Sequence, residues 1–306
     1  MSTEVFFYPS LGIPIDDGWQ VDVHAWCYRL RSHRVAIPLV RKALGFERTR
    51  LSASEKQTFV ERAQWMFAHN TRGHAIVVAV DGETFTLGKT RPNGRMRATI
   101  TVKTTSPLPG LDIHFLAPDG LSVISDIDDT IRISHVRDRG ALLRGTFVDP
   151  FRAVDGMADV FRAWSESGAQ FHYVSATPWQ LYVPIAAFVD AHGFPKGTFH
   201  LRDFRWKDRT LFNVIASPDR YKRRTIEPLL RQLPRRRFVL VGDSGQRDPE
   251  VFGDLARRYP RQVKAIFIRD VGHSTSARYG TAFAGLSRAS WHVFSDPSVL
   301  PRMLQM

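Results

Sequence analysis

The chain predicts an α/β fold: a doubly wound parallel sheet with a smaller β-rich domain ahead of it. Three observations lead there. From about residue 116 onward, short apolar runs bounded by turn residues alternate with helical stretches, the pattern of parallel strands joined by crossover helices. Before that point, apolar and polar residues alternate as in half-buried strands. Between the two regimes lies Thr104-Thr-Ser-Pro-Leu-Pro-Gly, whose prolines and small residues read as a connector. The expected domains are therefore 1–115, β-rich, and 116–306, α/β.

In the first domain Val21 to Arg29, Ala75 to Val80, Glu83 to Leu87 and Arg97 to Val102 alternate, with Asp81-Gly82 and Pro92-Asn93-Gly94 as turns. A stretch from Ser54 to Phe67 has helical spacing and a cap at Ser52 or Ser54. A small β-sandwich-like module follows from this pattern. Its histidines His24, His33, His69 and His74 have no metal-ligand spacing to one another. In the second domain the strand candidates are Leu121 to Ser125, Phe171 to Val174, Phe238 to Val241 and Val263 to Ile268. Helices fit at Val154 to Ser165, Gln180 to Ala191, Arg223 to Gln232 and Pro249 to Arg258. Ser274 to Ser276 and the apolar Trp291 to Leu304 read as a folded C-terminal appendage.

Composition narrows the setting. With 43 Lys and Arg against 30 Asp and Glu, the formal charge is +13, a surface suited to polyanions such as nucleic acid, anionic lipid headgroups or phosphorylated substrates. Cys27 is the single cysteine, so no internal disulfide forms, and its alternating surroundings make it a buried strand residue. No window approaches eighteen apolar residues and the N-terminus lacks a secretory pattern, so the expectation is a cytoplasmic chain with scope for peripheral contact with an anionic membrane surface.

The chemistry concentrates at strand ends. The first apolar run ends in Ser125-Asp-Ile-Asp-Asp-Thr, placing Asp126 and Asp128 where open α/β sheets bind their ligands. Two carboxylates that close repel unless a cation or a proton lies between them. Ser175 ends the second run and offers a hydroxyl to a phosphate oxygen. Lys222 opens a basic helical stretch, where its ammonium would neutralise phosphoryl charge. The third run ends in Gly242-Asp-Ser-Gly-Gln-Arg-Asp, adding Asp243 and Asp248. These oxygens suit magnesium, which takes hard ligands and substrate phosphate.

The order Asp126-x-Asp128-x-Thr130, Ser175, Lys222, Gly242-Asp243 with Asp248 resembles the four motifs of the haloacid dehalogenase superfamily of phosphotransferases, over about residues 118 to 270. Within it, Ser125-Asp-Ile-Asp-Asp-Thr-Ile, Val174-Ser-Ala-Thr-Pro-Trp and Val241-Gly-Asp-Ser-Gly-Gln-Arg-Asp-Pro-Glu resemble the actin-patch type of phosphatidate phosphatase. The resemblance implies a haloacid dehalogenase-like fold and a magnesium-dependent phosphatase. Asp126 would be the nucleophile and Asp128 the acid and base. Asp126, the Asp128 carbonyl, Asp243 and Asp248 would hold or support Mg2+. Ser175 and Lys222 would bind the phosphoryl oxygens, and Thr130 would brace the nucleophile loop. Asp129 reads as a loop-fixing residue.

The leaving group is less determined. In this superfamily the segments between motifs set selectivity, here about 131–170, with Leu142-Leu-Arg-Gly-Thr-Phe, and 178–221, with Trp179, Tyr182, Phe188, Phe194, Phe204, Trp206 and Phe212. Aromatics among cations suit an interfacial surface, and equally a core. Phosphatidate, a phospholipid, is the leading substrate; a nucleic-acid end or soluble phosphomonoester shares the chemistry, and a catalytically silent anionic-lipid-binding module is the reading of another class. The N-terminal domain would serve targeting or positioning.

Overall fold

The computed structural model describes residues 3–30, 37–38, 41–42, 44–46, 48–66, 68–80, 83–103, 105, 110–203, 218–272 and 275–304. His33, Asp81-Gly82, most of the connector, Phe204, Trp206, Phe212 and Ser274 lie outside them. The chain divides into two compact units, Met1–Ala117 and Pro118–Met306.

The first unit is built on two long antiparallel strands, β1 (Glu4–Ile15) and β2 (Gly18–Arg29). Gly18 carries the turn between them with φ +116, a conformation that penalises any Cβ. After helix α1 (Ala53–Met66) come β3 (His69–Asn70), the hairpin β4 (Ala75–Val80) and β5 (Glu83–Lys89), β6 (Arg95–Val102) and β7 (Ile113–Phe115). The main sheet runs β3-β2-β1-β7, with β6 also paired to β2, and β4-β5 form a separate two-stranded sheet. Ile76 and Val78 of that hairpin join Val21, Val23, Ala25 and Cys27 of β2 in the core, so the two sheets pack face to face. Cys27 is fully buried. Ser52 and Glu55 open α1 as a reciprocal cap, with Glu55 N–H on Ser52 Oγ at 3.2 Å and Ser52 N–H on the Glu55 carboxylate at 2.7 Å.

The second unit is mixed α/β around a six-stranded parallel sheet: β8 (Leu121–Ser125), β9 (Gln170–Pro178), β10 (Gly197–Arg202), β11 (Arg237–Asp243), β12 (Val263–Arg269) and β13 (Trp291–Phe294). Every residue of β8 is buried, as a central strand covered on both faces requires. The order β10-β9-β8-β11-β12-β13 reverses direction at β8, so the chain winds outward first to one side and then to the other. Connections carry α2 (Arg139–Phe147), α3 (Met157–Glu166), α4 (Tyr182–Ala191), α5 (Pro218–Gln232), α6 (Asp248–Arg258) and α7 (Ser276–Ala282). In α3 the buried Met157, Val160, Phe161 and Trp164 recur at helical spacing along one face.

Trp291 to Leu304 is not an appendage. Its first four residues pair in parallel with Ile266 to Arg269 and complete the sheet. The alternation that marks a strand is weak in a run of four. Strand β10 was likewise unread, because His200 and Arg202 break its apolar pattern.

Candidate active site

β9 and β11 flank β8 and run on past its end. Ser125 faces Tyr173 of β9 on one side and Val241 of β11 on the other, and Asp126 N–H continues the ladder to Val241 O at 2.9 Å. Residues just past these ends converge at the point where the strand order reverses, the crevice in which open α/β sheets bind ligands.

Asp126, Asp243 and Asp248 converge there, each offering a carboxylate oxygen within 4.8 Å of the others, and all three are buried. Lys222, itself 1% exposed, sits among them with Nζ 2.9 Å from Asp126 Oδ1 and 2.5 Å from Asp248 Oδ1. Thr130 donates to the other Asp126 oxygen at 3.1 Å. Asp243 Oδ1 accepts from Gly245 N–H at 2.6 Å and Gln246 N–H at 3.2 Å, a local turn that fixes the carboxylate. Asp248 Oδ2 accepts Asp243 N–H at 3.2 Å. Gly242 is required for this approach: a Cβ there would stand 2.3 Å from Asp248 Oδ2 and 2.7 Å from Phe252.

The electrostatics are unbalanced. Three carboxylates around one ammonium leave two negative charges uncompensated in a buried space. Burial, opposed by Lys222 but reinforced by Asp248, Asp243 and Asp128, holds the Asp126 carboxyl well above the usual range. Burial and the Asp248 charge push Asp243 up to about 7. Burial alone would discharge Lys222, but Asp126, Asp248 and Asp243 outweigh it and keep the ammonium protonated. Asp243 Oδ2 is buried without a hydrogen-bond partner. An orphaned acceptor beside surplus negative charge fits a divalent cation bound by hard oxygen donors, for which Asp126, Asp243 and Asp248 each offer a carboxylate oxygen.

Asp128 belongs to a different cluster. Its carboxylate accepts from Ser134 Oγ at 2.7 Å, Ser175 Oγ at 2.9 Å and Thr177 Oγ1 at 3.0 Å, and pairs with Arg132. Burial would raise its pKa, but the Arg132 charge and these hydrogen bonds bring it down to about 2. Ser175 therefore faces Asp128 and Thr177. Asp129 adopts φ +56 and its carboxylate takes the N–H groups of Ser134, His135 and Val136 at 2.7, 2.9 and 2.7 Å, closing the loop on itself.

Several contributors escaped the sequence reading. Thr177 stands two residues beyond Ser175 in β9, so period-two spacing was its available signal. Arg132 was visible as a lone cation between Ile131 and Ile133. Arg278 of α7 gave no local signal, yet it bonds Ser244 O at 2.5 Å, Gln246 O, and Glu250 in a fork at 2.8 and 3.0 Å, tying down the Asp243 turn.

The basic and aromatic stretches have structural partners. Arg223 pairs with Asp254 at 3.0 Å and Arg231 with Glu227 at 3.1 Å, while Arg236 is buried with its guanidinium on Ser122, Asp119 O and Leu121 O. Trp179, Tyr182, Phe188 and Phe194 are core residues. Among the described residues, no helix is long and apolar enough to cross a membrane.

A buried acid cluster around one lysine thus lies at the carboxyl end of the parallel sheet in the second, α/β unit. Residues 121–270 match the family described as phosphatidate phosphatase APP1, catalytic domain. The chain is 32% identical over 164 residues to an uncharacterized protein of Schizosaccharomyces pombe, covering 52% of this chain and 27% of that one. It is 30% identical over 167 residues to phosphatidate phosphatase APP1 of Saccharomyces cerevisiae, covering 53% of this chain and 28% of that one. The chain thus spans little more than a quarter of the length of the curated relatives it matches.

Proposed function

We propose that the second unit is a magnesium-dependent phosphomonoesterase of haloacid dehalogenase type, whose substrate is phosphatidate and whose products are diacylglycerol and phosphate. The observation that supports it most is the buried Asp126–Asp243–Asp248 cluster, with its single lysine and orphaned Asp243 oxygen, inside the segment that matches a phosphatidate phosphatase catalytic domain.

In this reading an Asp126 oxygen attacks phosphorus in line, forming an aspartyl-phosphate as the bond to the leaving oxygen breaks. Asp128 gives that oxygen its proton, then takes one from the water that hydrolyses the intermediate. The ionised state favoured by Arg132 suits the second half of that cycle. The proton Asp128 takes from that water is the one it delivers to the leaving oxygen of the next substrate, so the two halves balance. Lys222 lies against Asp126 and meets the phosphoryl charge as it arrives, and Ser175 turns from Asp128 to a phosphoryl oxygen. Magnesium held by the carboxylates supplies charge neutralisation on the transferring group. Asp129 and Thr130 fix the loop that carries the nucleophile.

The test is phosphate release from phosphatidate in mixed micelles, beside oligonucleotide 3′-phosphate and para-nitrophenyl phosphate, with magnesium or with a chelator. The proposal expects magnesium-dependent release that favours phosphatidate. A preference for the oligonucleotide would move the assignment to a nucleic-acid-end phosphatase, and no release from any of them would remove the enzymatic reading.

A further inference from the structure

Beside Asp128 the second unit holds a small, partly open pocket. One wall is α2, through Leu142, Leu143 and Phe147; the other is the passage from β9 into α4, through Ala176, Pro178 and Leu181. All six are buried or nearly so, and α2 is anchored by Asp138, which accepts Ala141 N–H at 2.9 Å. The polar lining residues are Asp128, Arg132, Thr177 and Gln246, with Thr146 on α2. Arg132 is committed to Asp128, and its guanidinium also lies 4.5 Å from the Phe151 ring centroid.

The position of Asp128 decides what this space is for. A group that protonates the leaving oxygen must lie within hydrogen-bond reach of it, so the remainder of the leaving alcohol extends away on the Asp128 side. That side is this pocket, and its walls are hydrocarbon. A sugar or a nucleotide would need many hydrogen-bond partners along those walls, where six apolar side chains face it beside the single hydroxyl of Thr146.

Resting on the phosphatase reading above, we propose that the pocket seats the first methylenes of an aliphatic leaving alcohol, making α2 the element that selects lipid phosphate monoesters over sugar and nucleotide ones. Recognition then begins within the protein and does not depend on a bilayer around the substrate.

Monomeric alkyl phosphates test this without a membrane: ethyl, butyl, hexyl and octyl phosphate, each below its micelle concentration, with magnesium. Burial of methylenes predicts that kcat/KM climbs by about two- to fourfold per added CH2 until the pocket is full. Leu143→Asn, which places an amide on the wall, should lower the octyl-to-ethyl ratio of kcat/KM at least tenfold, and Leu143→Met should keep most of it. If para-nitrophenyl phosphate and the short esters are hydrolysed but the wild-type series is flat, the pocket proposal falls and the phosphatase reading stands. A folded Leu143→Asn protein with an unmoved ratio has the same meaning. Hydrolysis of phosphatidate in mixed micelles but of none of these esters would overturn this proposal alone; hydrolysis of neither would remove the phosphatase reading with it. The wild-type series decides the matter even if the variants do not fold.

Discussion

The Lys222 ammonium lies 2.9 Å from the Asp126 carboxylate and 2.5 Å from that of Asp248, with all three side chains buried. Lys222 holds together carboxylates that repel one another, and in the proposed reaction it would also meet phosphoryl charge. Removing one partner of a buried ion pair strands the other, at a cost of about 3–5 kcal/mol. Lys222→Met should lower turnover by about 100-fold or more, in the manner of a lost charge-stabilising donor, and destabilise the metal-free protein by a few kcal/mol. Urea unfolding with a chelator and with magnesium checks it, since added magnesium should return part of the loss.

Asp126→Asn keeps the shape of the side chain but removes the attacking oxygen anion. Turnover should vanish while far-ultraviolet circular dichroism stays the same. A variant that kept a substantial share of activity would contradict the nucleophile assignment.

For Asp128→Asn the expected pattern differs. Its carboxylate contacts Arg132, Ser134, Ser175 and Thr177 and lies outside the Asp126–Asp243–Asp248 cluster. Activity should fall severely with magnesium affinity retained. Calorimetric titration showing lost affinity would place Asp128's side chain among the ligands.

The raised Asp243 carboxyl gives a pH signature. Its ordinary value is 3.8 and it is pushed up to about 7 in the fold, so between those values the folded chain binds more protons than the unfolded one. That contribution to stability is present below about pH 4 and is lost as pH rises through about 7. In chelator, the wild type should lose stability relative to Asp243→Asn between pH 5 and 8. Magnesium should close the gap at pH 8 by stabilising the wild type alone. Thermal melts of the two proteins across that range provide the measurement, and parallel curves would refute the account.

Arg278 supports the site without entering it. Its fork to Glu250 and its bonds to Ser244 O and Gln246 O hold the turn that presents Asp243. Arg278→Lys loses the planar fork, and magnesium affinity should drop about 10- to 100-fold, as for other groups that orient metal ligands. Calorimetry on the folded variant is the direct check; unchanged affinity would show that the Asp243 turn stands by itself.

How much of this was legible in the sequence depended on the range of the signal. β8 and β11 were readable because buried parallel strands spell nearly continuous apolar runs, and Asp126, Asp243 and Asp248 sit where those runs stop. Lys222 was readable only through the spacing of a family motif, since an isolated lysine on a basic helix looks like any solvated one. Arg132 lies only four residues from its partner Asp128, but a lone arginine between two isoleucines did not mark the pairing; Arg278 was not found as a site residue because its partners lie in the fold rather than along the chain. Glu250 and Ser244 are 28 and 34 residues from Arg278. Other cations of α5 have partners the composition does not reveal: Arg223 pairs with Asp254 of α6 and Arg231 with Glu227 one turn away in the same helix.

Because Trp291 to Phe294 occupies the outer flank of β12, the sequence Val263-Lys-Ala-Ile-Phe-Ile-Arg does not present an open row of backbone donors and acceptors on that side. A strand of four residues makes a poor template for other chains, whereas a seven-residue strand carrying Ile266, Phe267 and Ile268 would make a good one. Clipping the chain before Trp291 would therefore uncover an adhesive edge. Self-association of the shortened protein would be its first symptom, ahead of any change in chemistry.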